Sequence, residues 1–400
     1  MTSVARPRAD DPGTAPFRRL RRPPLPPGQD VEIESVAELD AVLDSGLPLR
    51  GLRLQDLDLS DRVDVLLRRT DHDGLVVLGG TVPADLAEHL RRHGAVIFPT
   101  DPAAPVRPYR STLYTAEELY DGLQEHGYAH TPDARAYAWA EQAELRHDAY
   151  ATLLRAIHDD AMSDALCSLV AGRSPVGVMG GHAWPRGSSR YAGAARLGHA
   201  LATSGHLVLT GGGPGAMEAA NLGAWAHDGH QLAAALERLA QVPQFFDDLT
   251  AWVQVALDVR RWHDDPAHRD RDRDPARSVG IPTWHYGHEP PNVFGDRIAK
   301  FFANSLREDL LLEHSTGGLV VLPGAAGTVQ EVFQMATRLY YEVDRALPPV
   351  VLVDVEHWTQ RLPVWPLLQA LGRDRAMAGS IHLVDAIDEV PALLANDLPP

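Results

Sequence analysis

Lysine is almost absent from this chain: Lys300 is the single one, and the other 36 of 37 basic side chains are arginines. A phosphate-gripping GK[ST] loop needs its lysine, so ordinary P-loop chemistry is excluded. A pyridoxal phosphate Schiff base would have to use Lys300, in "DRIAKFFANSL", a segment the pattern predicts to be helical. Cysteine is equally scarce. With Cys167 alone, no internal disulfide can form and no thiolate metal site is indicated. No apolar run reaches the length of a membrane span, and the N-terminus lacks the apolar segment of a secretory signal. The formal charge of −17 argues against nucleic acid polymers and anionic membranes as partners. A phosphate ligand would have to be held locally, by helix N-termini and a few arginines. The expected compartment is the cytoplasm.

What remains is ample for a large core: 400 residues, 44% of them hydrophobic. Residues 1–30 are rich in Pro and Arg without periodicity and are expected to be a disordered tail. Residues 31–172 read as a small N-terminal α/β module followed by linking helices. "GLVVLGG" and "HGAVIFPT" bracket a predicted helix, "PADLAEHLRR", and Thr115 with Glu118 fits a capping box. "LRGLRLQDLDLS" resembles one turn of a repeat, but no further copies follow and no solenoid is expected. Residues 173–400 form the main domain, interrupted by an insertion at about 231–277 that ends in the charged run "RDRDRDPAR". Strands alternate with helices there, predicting an α/β fold with a doubly wound, Rossmann-like parallel sheet. In such sheets ligands bind beyond the C-terminal strand ends. "NVFGDRIAKFFANSLREDLLLEHS" is expected to be helical throughout.

Three strand ends share one character: "VMGGHAWPRGSS", "LTGGGPGAMEAAN" and "LPGAAGTVQE". Small residues let a backbone approach a ligand, and the next helix offers unpaired N–H groups to an anion. Each turn alone also suits tight strand-to-helix packing. Glu331 near a helix start is favourable to the helix dipole whatever its function, and so is Glu218. Arg307 alone reads as an ordinary surface arginine. "EPPN", Glu289–Asn292, fits a rigid turn with Asn292 capping a following helix. His285 and His288 have metal-compatible spacing but no evident third ligand, so no metal is expected. Trp284 and Tyr286 are candidates either to stack on a base or to fill core.

Taken together, "LTGGGPGAMEAANLGA", Arg307 and "PGAAGTVQE" resemble the Lonely Guy (LOG) family, once misannotated as lysine decarboxylases. The family hallmark is a GGGxxGxM loop followed by PGGxGTxxE, and the resemblance covers about Ser174 to Leu394. Gly180–His182, Thr210–Ala219 and Glu289–Asn292 look most like the larger bacterial purine or pyrimidine nucleotide 5′-monophosphate nucleosidases. That resemblance implies hydrolysis of the N-glycosidic bond of a nucleoside 5′-monophosphate to free base and ribose 5-phosphate, without cofactor. It implies catalytic roles for Arg307 and Glu331, with Arg307 holding phosphate or the departing base. Substrate binding would fall to Gly180, Gly181, Gly211, Gly212, Gly213, Gly215, Met217, Glu218, Asn292, Gly324, Gly327 and Thr328. A homodimer or larger homo-oligomer and a nucleotide effector are implied as partners. Ala325 stands where the family carries glycine; in a left-handed conformation it would cost about 1 kcal/mol. A non-catalytic nucleotide sensor and a cytokinin riboside monophosphate phosphoribohydrolase are the alternatives.

Overall fold

The structure is a computed structural model that describes residues 32–98, 100–101, 103–263, 276–286, 289–342 and 346–396. The predicted tail, His288 and most of the charged run lie outside them. Two compact units divide after Pro102.

In the first unit, β1 (Glu32–Ile33), α1 (Val36–Ser45), β2 (Arg53–Gln55), α2 (Val63–Leu67), β3 (Val76–Leu78), α3 (Ala84–Arg92) and β4 (Val96–Phe98) alternate. All neighbouring strands are parallel, and their spatial order β1-β2-β3-β4 is their chain order. Paired positions Glu32, Arg53, Val76 and Val96 follow at steps of 21, 23 and 20 residues. Consecutive βα units thus add one parallel strand each, a regularity the sequence reading did not pick out. The steps are unequal and the shared pattern is only a recurring buried residue (Ile33, Leu54, Val77), too little to register as a copied motif.

The second unit opens with short helices, α4 (Ala116–Leu119), α5 (Leu123–His126) and α6 (Pro132–Ala140), then the long α7 (Ala149–Val170). Thr115 and Glu118 form the predicted capping box on α4. The second compact unit thus begins at Ala103 and takes in the helices that precede the expected main domain at 173. The cause is burial: Leu154, Met162, Leu166 and Val170 of α7 are covered, and the last three join the core of the large sheet.

That sheet has seven parallel strands in the order β11-β10-β9-β5-β6-β7-β8. Along the chain run β5 (Pro175–Met179), α8 (Ser189–Thr203), β6 (Leu207–Thr210), α9 (Ala216–Trp225), α10 (Gly229–Leu239), α11 (Leu249–Arg260), β7 (Ser278–Gly280) and β8 (Arg297–Ile298). Then follow α12 (Asn304–His314), β9 (Gly318–Val321), α13 (Ala326–Tyr341), β10 (Val350–Val353), α14 (Val364–Gly372), β11 (Ile381–Val384) and α15 (Val390–Asn396). β5, β6, β9 and β10 are buried at every residue, as central strands covered on both faces must be. Chain order reverses between neighbours β5 and β9, so the switch-point crevice lies at their C-terminal ends.

The helix expected over Asn292–Ser315 is confined to α12. Its first half is drawn into the sheet instead: Arg297–Ile298 pair with β7, and Ile298 exchanges backbone hydrogen bonds of 2.8 and 2.9 Å with Tyr114. The Asp159 carboxylate accepts the N–H groups of Phe302 and Ala303 at 2.9 and 2.8 Å, holding the segment just before the helix. Lys300 consequently lies outside any helix. It is buried, ion-paired with Asp133 and 5.1 Å above the Trp284 ring.

Candidate functional site at the β5–β9 crevice

Three turns meet at the crevice, joined by the backbone of Gly181. Its N–H donates to Pro323 C=O and its C=O accepts from Ala216 N–H, both at 3.1 Å. The resulting cavity of about 400 Å³ is lined by Gly180 and Gly181 after β5, Gly211 and Met217 after β6, and Pro323 to Ala325, Gly327, Thr328 and Glu331 after β9. Arg307 reaches in from α12. The structure therefore gathers both predicted catalytic residues with Gly180, Gly181, Gly211, Met217, Gly324, Gly327 and Thr328.

The remaining predicted binders stand behind this wall. Gly212 and Gly215 have φ of +70° and +69°, and an added Cβ would fall within 3 Å of Pro282 or of the Gly181 and His182 carbonyls. Both turns need glycine for their own geometry. Gly213 does not itself line the cavity, and a Cβ added there would meet Met217 and Glu289, which do. Asn292 caps no helix: its amide donates to Gly213 C=O at 3.1 Å and to Asn221 at 3.0 Å, clamping the turn. Glu218 is fully buried in a bidentate pair with Arg186 (3.0 and 2.5 Å). Arg186 lies 4.0 Å over Trp252 and donates to its carbonyl, so the pair pins α11 of the insertion to the β5 turn. These five residues build the site without lining it.

The turn after β9 differs. Helix α13 begins at Ala326 with no side-chain cap, and its first backbone bond runs from Val329 N–H to Ala325 C=O at 3.0 Å. The amides of Ala326, Gly327 and Thr328 precede that bond and offer positive potential beside the cavity. A Cβ on Gly327 would meet nothing within 4 Å, whereas one on Gly324 would strike the Thr328 side chain. Ala325 has φ −119°, so it carries none of the left-handed strain considered for it; its methyl simply borders the cavity.

Glu331 lies on the second turn of α13, beyond the reach of a helix-start explanation. Its carboxylate accepts from Arg307 Nη1 at 3.3 Å, yet its pKa is pushed up to about 7. Burial is the leading cause, partly offset by Arg307 and reinforced by the neighbouring Glu308 and Glu289 carboxylates. Arg307 Nε is buried without a hydrogen-bond partner, a cation with an unspent donor at a cavity wall.

Sequence reading missed much of the rim. Trp184, Arg190, Glu308 and His357 line the cavity without having been singled out, whereas His182, Tyr286 and Glu289, which also line it, lie in stretches the sequence points to. Asp354, held at φ +82° just after β10, accepts from Arg190 at 3.2 Å and from His357 N–H at 2.9 Å. Burial lowers the His357 pKa and so favours the neutral ring. Trp284 is resolved as core, stacked 4.5 Å from Phe302, and His285 is exposed. From the insertion, Phe245, Phe246 and Leu249 share a neighbouring hollow with His182. Lys300 is not among the cavity residues.

Two family models match this unit: the SLOG cluster4 family over residues 173–237, and the family described as "Possible lysine decarboxylase" over 265–395. This is a LOG-family domain. Between the two matched stretches lies α11 of the predicted insertion. LOG-family domains have phosphoribohydrolase-type or nucleotide-binding functions, and the "lysine decarboxylase" wording finds no support in a chain whose lone lysine is buried against Asp133. No curated protein matches the chain. Among solved structures, the molybdenum cofactor binding protein from the phototrophic bacterium Rippkaea orientalis is similar at 18% identity, TM-score 0.34, over 56% of this chain and 98% of that one. No helix among the described residues is long and apolar enough to cross a membrane.

Proposed function

We propose that the LOG-family domain hydrolyses the N-glycosidic bond of nucleoside 5′-monophosphates, releasing base and ribose 5-phosphate. One observation carries the reading. A largely buried carboxylate with a pKa of about 7 and an arginine with a free donor share a cavity with an uncapped helix N-terminus. The 5′-phosphate binds the Ala326–Thr328 amides, with Arg307 and Arg190 supplying positive charge. Cavity size suits a ligand of this class. Trp184 and Tyr286 provide aromatic surface for the base.

Cleavage develops positive charge on the ribose ring. Glu331, ionised, stabilises that charge and accepts the proton of the attacking water. Its raised pKa matches a base working near neutrality: ionised often enough to act, basic enough to take a proton. The leaving base draws a proton from solvent or from a rim group.

The test is to incubate the protein with each purine and pyrimidine nucleoside 5′-monophosphate and assay base and ribose 5-phosphate. Wild type is expected to turn over at least one of them, and Arg307→Ala to lose about 100-fold or more in kcat/KM. Tight binding of monophosphates with no product would replace this reading with the sensor.

A further inference from the structure

Three histidines converge in the N-terminal unit. His89 lies in the last turn of α3, His93 follows it by four residues, and His72 precedes β3. One ring nitrogen from each lies within 4.8 Å of the others. The ring centroids are 5.5, 6.0 and 4.3 Å apart for His72–His89, His72–His93 and His89–His93. His72 is fully buried, and neither of its ring nitrogens has a hydrogen-bond partner. A buried imidazole without partners is a rarity that calls for a physical reason.

The other two rings are already oriented. His89 Nε2 lies 2.8 Å from Arg69 C=O, and His93 Nδ1 lies 2.9 Å from His89 C=O. A carbonyl only accepts, so each of these nitrogens carries the proton. The lone pairs are thereby left on His89 Nδ1 and His93 Nε2. Backbone carbonyls fix ligand tautomers in this way around metals. The nearest charges cancel, since Arg69 forks onto Asp71 at 2.9 and 2.6 Å.

We infer that His72, His89 and His93 form a three-imidazole site for a divalent transition metal, with Zn2+ the best match. Three neutral nitrogens and no thiolate suit zinc, copper or nickel rather than magnesium or calcium. Zinc bonds of ~2.0–2.1 Å place ligand nitrogens about 3.3 Å apart, so the rings close by at most about 1.5 Å. Solvent supplies the fourth ligand. Such a metal ties the end of α3 to the turn before β3.

The experiment uses the full, tag-free chain stripped with a chelator and titrated with Co2+, then Zn2+. The expected result is one equivalent of Co2+ giving the visible absorption of a tetrahedral site, bleached by Zn2+. His89→Gln and His93→Gln, both only partly buried, should weaken binding on the order of 100-fold or more. His130→Gln, an exposed histidine outside the cluster, should bind as wild type. Absence of a tetrahedral spectrum at one equivalent in the wild-type protein would overturn the inference. So would its persistence in both cluster variants.

Discussion

The turn after β6 carries four glycines, Gly211–Gly213 and Gly215, and the turn after β9 carries two, Gly324 and Gly327. By glycine content the first is the better phosphate loop. In space their work is divided the other way. The first helix amide after β6 is taken by Gly181 C=O, and Gly212 and Gly215 are held by positive φ and backbone contact. After β9, three amides precede the first helical bond, and Gly327 faces open space. Glycine spent on packing and glycine left facing a cavity look alike in sequence. What an added methyl group would touch tells them apart.

That contrast can be broken by mutation. The largest stability effect is expected for Glu218→Ala behind the β6 turn. It leaves Arg186 buried and unpaired and should destabilise by about 3–5 kcal/mol in denaturant unfolding. Gly215→Ala comes next, at about 2–4 kcal/mol, from positive φ plus collision with two carbonyls. A variant that unfolded like wild type would remove the packing role assigned to this turn.

The β9 turn is probed by pH and by a gentle substitution. With Glu331 acting as its carboxylate, kcat/KM should fall about tenfold per unit below pH 7 and level off above it. The stability effect has the opposite sign. A folded pKa raised from 4.5 to about 7 makes this group's contribution most favourable below 4.5, and it is lost as pH rises through 7. A pH–rate profile flat from 6 to 8 would contradict the assignment of Glu331 as base. Smallest of all, Gly327→Ala should change stability by no more than about 1 kcal/mol, and in the stabilising direction. Its KM for a monophosphate should nevertheless rise several-fold. The pair Gly215→Ala and Gly327→Ala thus separates the turn that packs from the turn that binds.

Much of this was legible along the chain because it is local. Apolar strand runs, the Thr115–Glu118 box and the three small-residue turns each announce themselves within a dozen residues. Arg307 and Glu331 were found only because the motifs were read together. The failures are long-range. Glu218 reads as a helix-start carboxylate until Arg186, 32 residues earlier, takes it. Lys300 reads as helical until Asp133, 167 residues away, and strand pairing with β7 hold its segment extended. The rim residues Arg190 and His357 carry no motif; the sheet's crossovers alone bring them to the cavity. The N-terminal stack escaped notice because its repeat lies in backbone geometry and a single buried position per turn.

The proposed chemistry rests on the Glu331 carboxylate, and single-turnover base release from a bound nucleoside 5′-monophosphate by Glu331→Gln tests it most directly. The amide keeps the shape of the side chain and removes the base. Monophosphate affinity should stay within about threefold of wild type, while base release falls by about 10²–10⁴. Release at the wild-type rate would contradict the central role given to this carboxylate.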